Sequence, residues 1–268
     1  MEELLCSVVM TVYNAEKYLR DAIDSVLRQT ESRFELIIVN DCSTDSSEEI
    51  IKSYSDDRIR YFKNEKNLKV SKTRNFGVEQ ARTNLVAFLD SDDVWLETKL
   101  EKQLAFIKET GARICYSACG FIDDDGNLLN KIFDVPSEVG FKRLLKQNVV
   151  TPSLSIFDKE LLKKHPFEAD SVHEDFVATL KMMKFENVKA YGISEPLILY
   201  RLTTNSKSRN KLKSMVMTYK SYKILGLNLF ERLYNLPFYI LNGIKKYRGL
   251  KPAKNEGYIS KYNYEYKG

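Results

Sequence analysis

Carboxylate and amide side chains follow three apolar runs in the first half of this 268-residue sequence. The clusters are Tyr13-Asn14 after residues 5–12, Asn40-Asp41 after residues 34–39, and Asp90-Ser91-Asp92-Asp93 after residues 85–89. Two or three carboxylates in one loop repel one another unless a cation lies between them, and oxygen ligands with open positions suit Mg²⁺ or Mn²⁺. Asp41 offers an acceptor for a pyrimidine imide N–H or a ribose hydroxyl. The clusters therefore indicate chemistry on a phosphorylated ligand.

The elements that position these clusters follow from hydrophobic periodicity. Short β-rich runs alternate with helical patterns through the first 110 residues, which predicts an α/β fold with a mainly parallel sheet. The predicted strands are 5–12, 34–39, 58–62 at an edge, and 85–89; the predicted helices are 15–27 with Asn14 as its cap, a short one after Asp45, 71–82 and 97–108. Ligands of open α/β sheets bind beyond the carboxyl ends of the strands. We therefore expect the three clusters to meet at one rim.

Beyond residue 111 the pattern predicts a mixed sheet. An Asp-Gly-Asn turn indicates a hairpin of strands 113–119 and 121–129. The further predicted elements are helices at 138–147, 158–164 and 174–185, and strands at 153–157, 188–193 and 197–201.

Composition excludes several classes of protein. The chain is 43% hydrophobic, which excludes disorder throughout, and its net charge of +5 is too small for a polyanion-binding protein as a whole. Four cysteines without a CxxC pair and two histidines make a structural zinc or disulfide framework unexpected. The first residues lack the basic start and the apolar length of a signal peptide, so we expect a cytoplasmic protein.

The last 60 residues differ from the rest. Residues 209–268 hold 13 Lys and Arg against 3 Glu and nine of the 16 Tyr, a net charge of +10 that leaves −5 for the residues before them. The apolar stretch 225–244 is interrupted by charged residues and a proline, which argues against a membrane span. It predicts an amphipathic element at a membrane interface, with packing on the catalytic part or a dimer contact as the alternative.

Five ordered segments carry a family resemblance. They are SVVMTVYNAEKYLRDAIDSVLRQT (7–30), IIVNDCSTDSS (37–47), NEKNLKVSKTRNFG (64–77), LVAFLDSDDVW (85–95) and HEDF (173–176). The set resembles family 2 glycosyltransferases of the GT-A fold over about residues 5–210. The resemblance implies inverting transfer of a sugar from a nucleotide-diphospho-sugar, usually assisted by Mn²⁺ or Mg²⁺.

The resemblance also implies roles for individual residues. Asp41 resembles the acid that binds the base, Asp90 and Asp92 the DxD pair near ribose, diphosphate and metal, and Arg74 the basic residue before the DxD strand. We expect the nucleotide-sugar at Tyr13, Asp41, Arg74, Asp90 and Ser91, and the metal at Asp92. Asp175 resembles the catalytic base, which inversion requires on the acceptor side of the anomeric carbon.

The sequence departs from the usual pattern of the family at two positions and in one motif. Cys42 and Lys69 stand where relatives often have glycine. Trp95 is the only tryptophan, so the QxxRW segment of processive members is absent. We therefore expect one sugar per encounter.

Structural interpretations compete with these roles. The Asp90–Asp93 loop could be a solvated turn with a helix cap, Arg74 could pair with a carboxylate on the sheet, and Glu174-Asp175 could be an acidic helix start that favours the helix dipole. A second functional class is a non-catalytic module that holds a nucleotide and binds nucleic acid through its basic tail. A binding module has no use for a base on the acceptor side, so an enzyme is favoured.

The sequence predicts a glycosyltransferase domain at 1–208, with a nucleotide-sugar half at 1–110 and an acceptor half at 111–208, followed by a basic, Tyr-rich amphipathic tail at 209–268. We expect a hexosyl- or N-acetylhexosaminyltransferase that uses a UDP-sugar. The expected acceptor is a lipid-linked or cell-envelope oligosaccharide, as in polysaccharide or lipopolysaccharide synthesis. The expected location is peripheral, on the anionic inner face of the plasma membrane, without nucleic acid as a partner. The oligomeric state stays open.

Overall fold

The computed structural model describes residues 3–168, 171–203 and 211–248. The strands are β1 (Cys6–Val12), β2 (Phe34–Asn40), β3 (Ile59–Lys63), β4 (Leu85–Asp90), β5 (Val94–Trp95), β6 (Ile114–Ile122), β7 (Leu128–Phe133), β8 (Glu138–Val139), β9 (Ser155–Asp158) and β10 (Ala190–Arg201). The helices are α1 (Leu19–Leu27), α2 (Ser47–Lys52), α3 (Lys69–Gln80), α4 (Lys99–Thr110), α5 (Phe141–Leu144), α6 (Lys159–Lys164), α7 (Glu174–Phe185), α8 (Lys211–Ile224) and α9 (Leu229–Tyr247), with a 3₁₀ turn at Pro152–Leu154.

The strands form one mixed sheet. Its order is β3-β2-β1-β4-β9-β6-β10-β5, with β7 paired to β6 and β8 paired to β10. The first four strands of this order are parallel, and β9 joins them to the second half through antiparallel pairs. This confirms the predicted α/β fold with a sheet that becomes mixed after residue 111, and β3 is the predicted edge strand.

The strand register brings the polar clusters together. Val12 at the end of β1 lies opposite Asn40 of β2, and Thr11 lies opposite Asp90 of β4. The apolar residues of these strands are buried almost completely, so the sheet can bind a ligand only at its rim. The clusters therefore meet at the carboxyl ends of the strands, as the sequence predicts.

Helix α3 packs closely on β1. A Cβ added at Gly77 would lie 2.4 Å from Cγ1 of Val9, which is closer than two non-bonded carbon atoms can approach.

The predicted cap of the first helix is wrong, because α1 starts at Leu19 and Asn14 lies outside it. Asn14 instead accepts a hydrogen bond from the backbone N–H of Thr44 at 2.8 Å and joins two loops at the rim.

The second half differs from the prediction in three places. The predicted turn lies at Asp125-Gly126-Asn127, but β6 runs without a break to Ile122. The two strands predicted at 188–193 and 197–201 are one strand, β10, whose pairing with β6 is irregular around Pro196. The helix predicted at 138–147 is reduced to α5. Single-strand periodicity does not show such irregularities, because they arise from pairing with a partner strand.

The described part of the C-terminal tail packs on the rest of the molecule. Tyr222 of α8 is buried and donates a hydrogen bond to the carbonyl of Leu145 at 2.5 Å, and Leu225 and Leu227 join the main core. Residues 204–210 and 249–268 lie outside the described residues. None of the described helices combines the length and the apolar character that a membrane span requires.

Candidate functional site

A cavity of about 740 Å³ lies at the carboxyl ends of β1, β2 and β4. Five of the seven predicted site residues line it, namely Tyr13, Asp41, Asp90, Ser91 and Asp92. Tyr13 is half exposed, so its ring is available to a ligand. The cavity is large enough for a nucleotide-sized ligand, and it lies at the rim where the polar clusters of the sequence meet.

Asp41 organises the loop that borders the cavity. Its carboxylate accepts hydrogen bonds from Asn64 Nδ2 at 2.8 Å, from the backbone N–H of Leu68 at 2.8 Å and from that of Lys69 at 2.9 Å. The side chain is 4% exposed. A carboxylate has about four lone-pair sites, so these three bonds use most of its capacity. The structure gives Asp41 a role in shaping the rim that the sequence did not indicate.

The two positions where relatives often have glycine keep a backbone that suits glycine. Cys42 has φ +63° and Lys69 has φ +71°, both in the left-handed region. An L side chain costs about 1–2 kcal/mol there. With this left-handed backbone, the Lys69 backbone N–H donates to Asp41 at the rim.

Arg201, at the end of β10, holds the loop that follows β4. Its Nε donates to the carbonyl of Asp92 at 2.8 Å, its backbone N–H donates to Asp93 Oδ1 at 3.0 Å, and its Nη2 donates to Asp21 Oδ2 at 3.0 Å. It is 2% exposed, and its guanidinium stacks over the Tyr18 ring at 4.5 Å. Arg201 is not among the residues predicted from the sequence, where its only signal is a single arginine at the end of an apolar strand.

The loop that follows β4 carries more negative charge than the nearby cations neutralise. Burial, and then the charge of Asp90, raises the pKa of Asp92 to about 6. Burial and the charges of Asp92 and Asp90 raise the pKa of Asp93 well above its ordinary value. Asp93 Oδ2 is buried and has no hydrogen-bond partner among the described residues. A cation at this loop would relieve the repulsion between the carboxylates.

The described residues contain no group of three or more His, Cys, Asp or Glu side chains placed to hold a metal ion by themselves. Mg²⁺ and Mn²⁺ are commonly held by one or two carboxylates together with substrate phosphates. Asp90 and Asp92 in the cavity wall are a donor set of that kind.

Arg74, on α3, lies behind the cavity wall and does not line it. It is 5% exposed and forms ion pairs with Asp90 at 2.5 Å and with Glu174 at 3.1 Å. Burial alone would lower the pKa of Arg74, but the charges of Asp90, Glu174 and Asp175 outweigh it and raise the pKa. In the structure Arg74 bridges the Asp90 loop and α7, and its expected contact with a nucleotide-sugar stays a prediction.

Asp175 lies one residue from that bridge and faces another cavity. Its Oδ2 accepts a hydrogen bond from Asn148 Nδ2 at 3.0 Å. It lines a cavity of about 250 Å³, beside His173 and residues of α8 and α9. Glu174 forms an ion pair with Arg74, whereas Asp175 faces the cavity, so the two neighbouring acids have different environments.

Comparisons with known proteins place this site in context. The model of the family described as "Glycosyl transferase family 2" matches residues 7–166. The putative teichuronic acid biosynthesis glycosyltransferase TuaG of Bacillus subtilis is 34% identical over 245 residues, which cover 90% of this chain and 97% of TuaG.

Two further proteins are similar over most of the chain. The Escherichia coli UDP-Glc:alpha-D-GlcNAc-diphosphoundecaprenol beta-1,3-glucosyltransferase WfgD is 32% identical over 251 residues, covering 92% of this chain and 96% of WfgD. The crystal structure of S. aureus TarS 1-349 in complex with UDP-GlcNAc matches with a TM-score of 0.67 at 22% identity, covering 91% of this chain and 73% of that chain. The TarS match supports the fold.

Proposed function

The chain belongs to glycosyl transferase family 2, and we propose that it transfers a single sugar from a UDP-sugar to a lipid-linked or cell-envelope oligosaccharide with inversion. The observation that carries the proposal is one arrangement of acids. Asp90 and Asp92 lie in a nucleotide-sized cavity, and Arg74 ties Asp90 to the helix that presents Asp175. A donor site and a base joined by one buried ion bridge suit a two-substrate transfer.

The donor site is the large cavity. Tyr13, Ser91 and the acids line it, and Asp41 shapes its rim. UDP is favoured because WfgD is named for UDP-Glc and the TarS fragment was solved with UDP-GlcNAc. The names of these two proteins suggest that the transferred sugar is a hexosyl or N-acetylhexosaminyl group.

The acids beside the donor fit a divalent cation, Mn²⁺ or Mg²⁺. Asp92, with Asp90 beside it, would hold the ion, and the donor phosphates would complete its coordination. When bound, the ion would neutralise charge on the departing diphosphate. Arg201 donates to the Asp92 carbonyl and so holds the loop that would carry the ion.

Asp175 is the proposed base. It would accept the proton of the acceptor hydroxyl while that oxygen bonds to the anomeric carbon. The bond from the anomeric carbon to the diphosphate oxygen breaks in the same displacement, and the nucleoside diphosphate leaves. Asn148 donates to one oxygen of Asp175 and so fixes the carboxylate for this role.

The acceptor end of the proposal rests on α9. Six apolar side chains at helical spacing form the exposed α9 face, namely Phe230, Leu233, Tyr234, Phe238, Leu241 and Ile244, each 41–79% exposed. The Lys146 ammonium lies 4.9 Å from the Phe238 ring centroid, and Lys245 is exposed nearby. An apolar face bordered by cations suits the anionic inner leaflet of a plasma membrane. WfgD is named for a diphosphoundecaprenol acceptor, which would lie in such a membrane.

The test is a donor panel. The purified chain is incubated with UDP-Glc, UDP-GlcNAc, UDP-Gal and GDP-Man with Mn²⁺ or Mg²⁺, and mass spectrometry detects slow donor hydrolysis or transfer. We expect one UDP-sugar to be consumed and Asp92→Asn to consume it at least a hundredfold more slowly. A chain that hydrolyses no donor and binds no UDP would overturn the proposal. Full activity after exhaustive chelation would overturn the metal assignment alone.

A further inference from the structure

The backbone N–H of Asp90 is held by a residue from the second half of the chain. The ladder between β4 and β9 ends where Ala87 pairs with Ile156, so Asp90 lies beyond it. The Asp90 N–H donates instead to Oγ of Ser153 at 3.1 Å. An N–H group removed from water needs an acceptor, and the Ser153 hydroxyl supplies the one that the ladder no longer provides.

Ser153 is itself fixed by the core. It lies in the 3₁₀ turn Pro152–Leu154 and is 1% exposed. Its carbonyl oxygen accepts a hydrogen bond from Nε1 of Trp95 at 3.2 Å, and the carbonyl oxygen of Leu154 accepts one from Nε2 of Gln103 at 3.0 Å. Both donors are buried side chains, one from β5 and one from α4. The turn therefore presents the Ser153 hydroxyl to Asp90 from a fixed position.

A buried lysine joins the two side chains that hold the turn. The Lys99 ammonium donates to Oε1 of Gln103 at 2.6 Å and lies 4.1 Å from the centroid of the Trp95 ring. Lys99 is completely buried, and burial of an ammonium group costs free energy that apolar packing would not cost. A hydrogen-bonded network of this kind specifies one arrangement of its members. The chain thus keeps a costly but rigid support beneath the turn.

Asp90 is held at both its backbone and its side chain. Ser153 accepts from its N–H, and Arg74 pairs with its carboxylate at 2.5 Å. The segment that leads into the 3₁₀ turn also carries Asn148, which donates to Oδ2 of Asp175 at 3.0 Å. One short segment therefore contacts both an acid of the donor cavity and the proposed base.

We propose that Ser153 is a positioning residue for the divalent cation at Asp90 and Asp92. Its hydroxyl fixes the backbone where β4 ends and so fixes the direction of the two carboxylates. This inference rests on the proposed function. Ser153 does not line the donor cavity, so it would act through Asp90. Groups that orient the ligands of a metal are typically worth tenfold or more in metal affinity.

The experiment measures Mn²⁺ binding to the full chain, saturated with UDP, at a temperature well below unfolding. Electron paramagnetic resonance counts the free Mn²⁺ during the titration. We expect Ser153→Ala to raise the Kd for Mn²⁺ about tenfold, whereas the Kd for UDP without metal should not change. Trp95→Phe removes the indole N–H that holds the Ser153 carbonyl. It should raise the Kd for Mn²⁺ about threefold, half of that loss in free energy.

Ser117→Ala is the matched control. Ser117 is a completely buried serine of β6 whose Oγ has no hydrogen-bond partner among the described residues, so the same truncation removes no hydrogen bond. It should bind Mn²⁺ as the wild type does. Chemical unfolding of each variant identifies a merely structural role, which would lower stability and leave the Kd for Mn²⁺ of the folded chain unchanged.

The outcomes separate the inference from the proposed function. An unchanged Kd for Mn²⁺ in Ser153→Ala would overturn the inference alone, and so would equal weakening by Ser117→Ala. A wild type that binds UDP but no Mn²⁺ would contradict the metal assignment and the inference with it. Failure of the wild type to bind UDP would overturn the proposed function, and the inference would fall with it.

Discussion

The two neighbouring acids at the start of α7 allow a sharp test of which one is the base. Asp175→Asn removes the proton acceptor and keeps the size of the side chain. The hydrogen bond from Asn148 is lost in its present orientation, but half a turn of the Asn148 amide presents its unpartnered Oδ1 to the new amide. We therefore expect a stability loss below about 1 kcal/mol.

The loss of rate should be much larger. General-base catalysis contributes about 10²–10⁴-fold, which corresponds to about 3–5 kcal/mol of transition-state stabilisation. Affinity for UDP should hardly change, because Asp175 does not line the donor cavity. Glu174→Gln is the matched variant. It breaks the 3.1 Å ion pair with Arg74, so it should cost about 1–2 kcal/mol of stability and less than tenfold in rate.

The assay uses water as the acceptor, so that no acceptor needs to be known. Initial rates of UDP-sugar hydrolysis are measured for both variants with the donor selected by the panel, together with UDP titration and thermal unfolding. The reasoning would be refuted by the reverse pattern, in which Glu174→Gln abolishes hydrolysis at unchanged stability and Asp175→Asn retains it. Equal loss of UDP binding and of rate in Asp175→Asn would place this residue in the donor site or the fold.

Arg201→Met should cost about 3 kcal/mol of stability in chemical unfolding, because it removes a buried guanidinium that pairs with Asp21 and donates to the Asp92 carbonyl; an unchanged midpoint would contradict this. Lys99→Met should raise the melting temperature at pH 7. Burial lowers the pKa of Lys99 from 10.5 to about 7, so the folded state binds fewer protons than the unfolded state between those pH values. The stability of the wild type therefore rises with pH across that window. The stability that Lys99→Met gains over the wild type should shrink towards pH 10. A gain independent of pH would exclude this cause. Lys69→Gly should stabilise the chain by roughly 0.5–1 kcal/mol by relieving its left-handed backbone, as measured by unfolding. Leu241→Glu should abolish flotation with anionic vesicles, whereas Leu212→Glu, at an exposed site on α8, should float like the wild type; no flotation of the wild type would exclude the membrane contact.

Membrane contact and internal packing were alternatives for the tail; the structure shows that part of the tail packs on the rest of the molecule, and membrane contact stays a prediction. Tyr222 and the inner side of α8 are buried in the core, while the α9 face stays exposed. A chain cut near residue 209 would expose that core, so single substitutions on the α9 face are better tests of membrane binding than truncation.

The order of strands and helices in the first half was readable from the sequence, because each element is specified by local periodicity and by the turn residues that end it. The local pattern of residues 85–89 predicts a strand, and Asp90 and Asp92 lie directly after those residues in the sequence. The position of the cavity needed only one more rule, that the carboxyl ends of parallel strands share a rim.

Only the tertiary structure decided what each polar group does there. Arg74 meets Glu174 across 100 residues of sequence, and Arg201 meets Asp21 across 180. Such pairs leave no periodic signal, since side chains that far apart meet only after the sheet has formed. Contacts with residues distant in the sequence also give Asp175 and Glu174 different roles. Both begin one helix, and only the packed neighbours, Asn148 for one and Arg74 for the other, give them different chemistry.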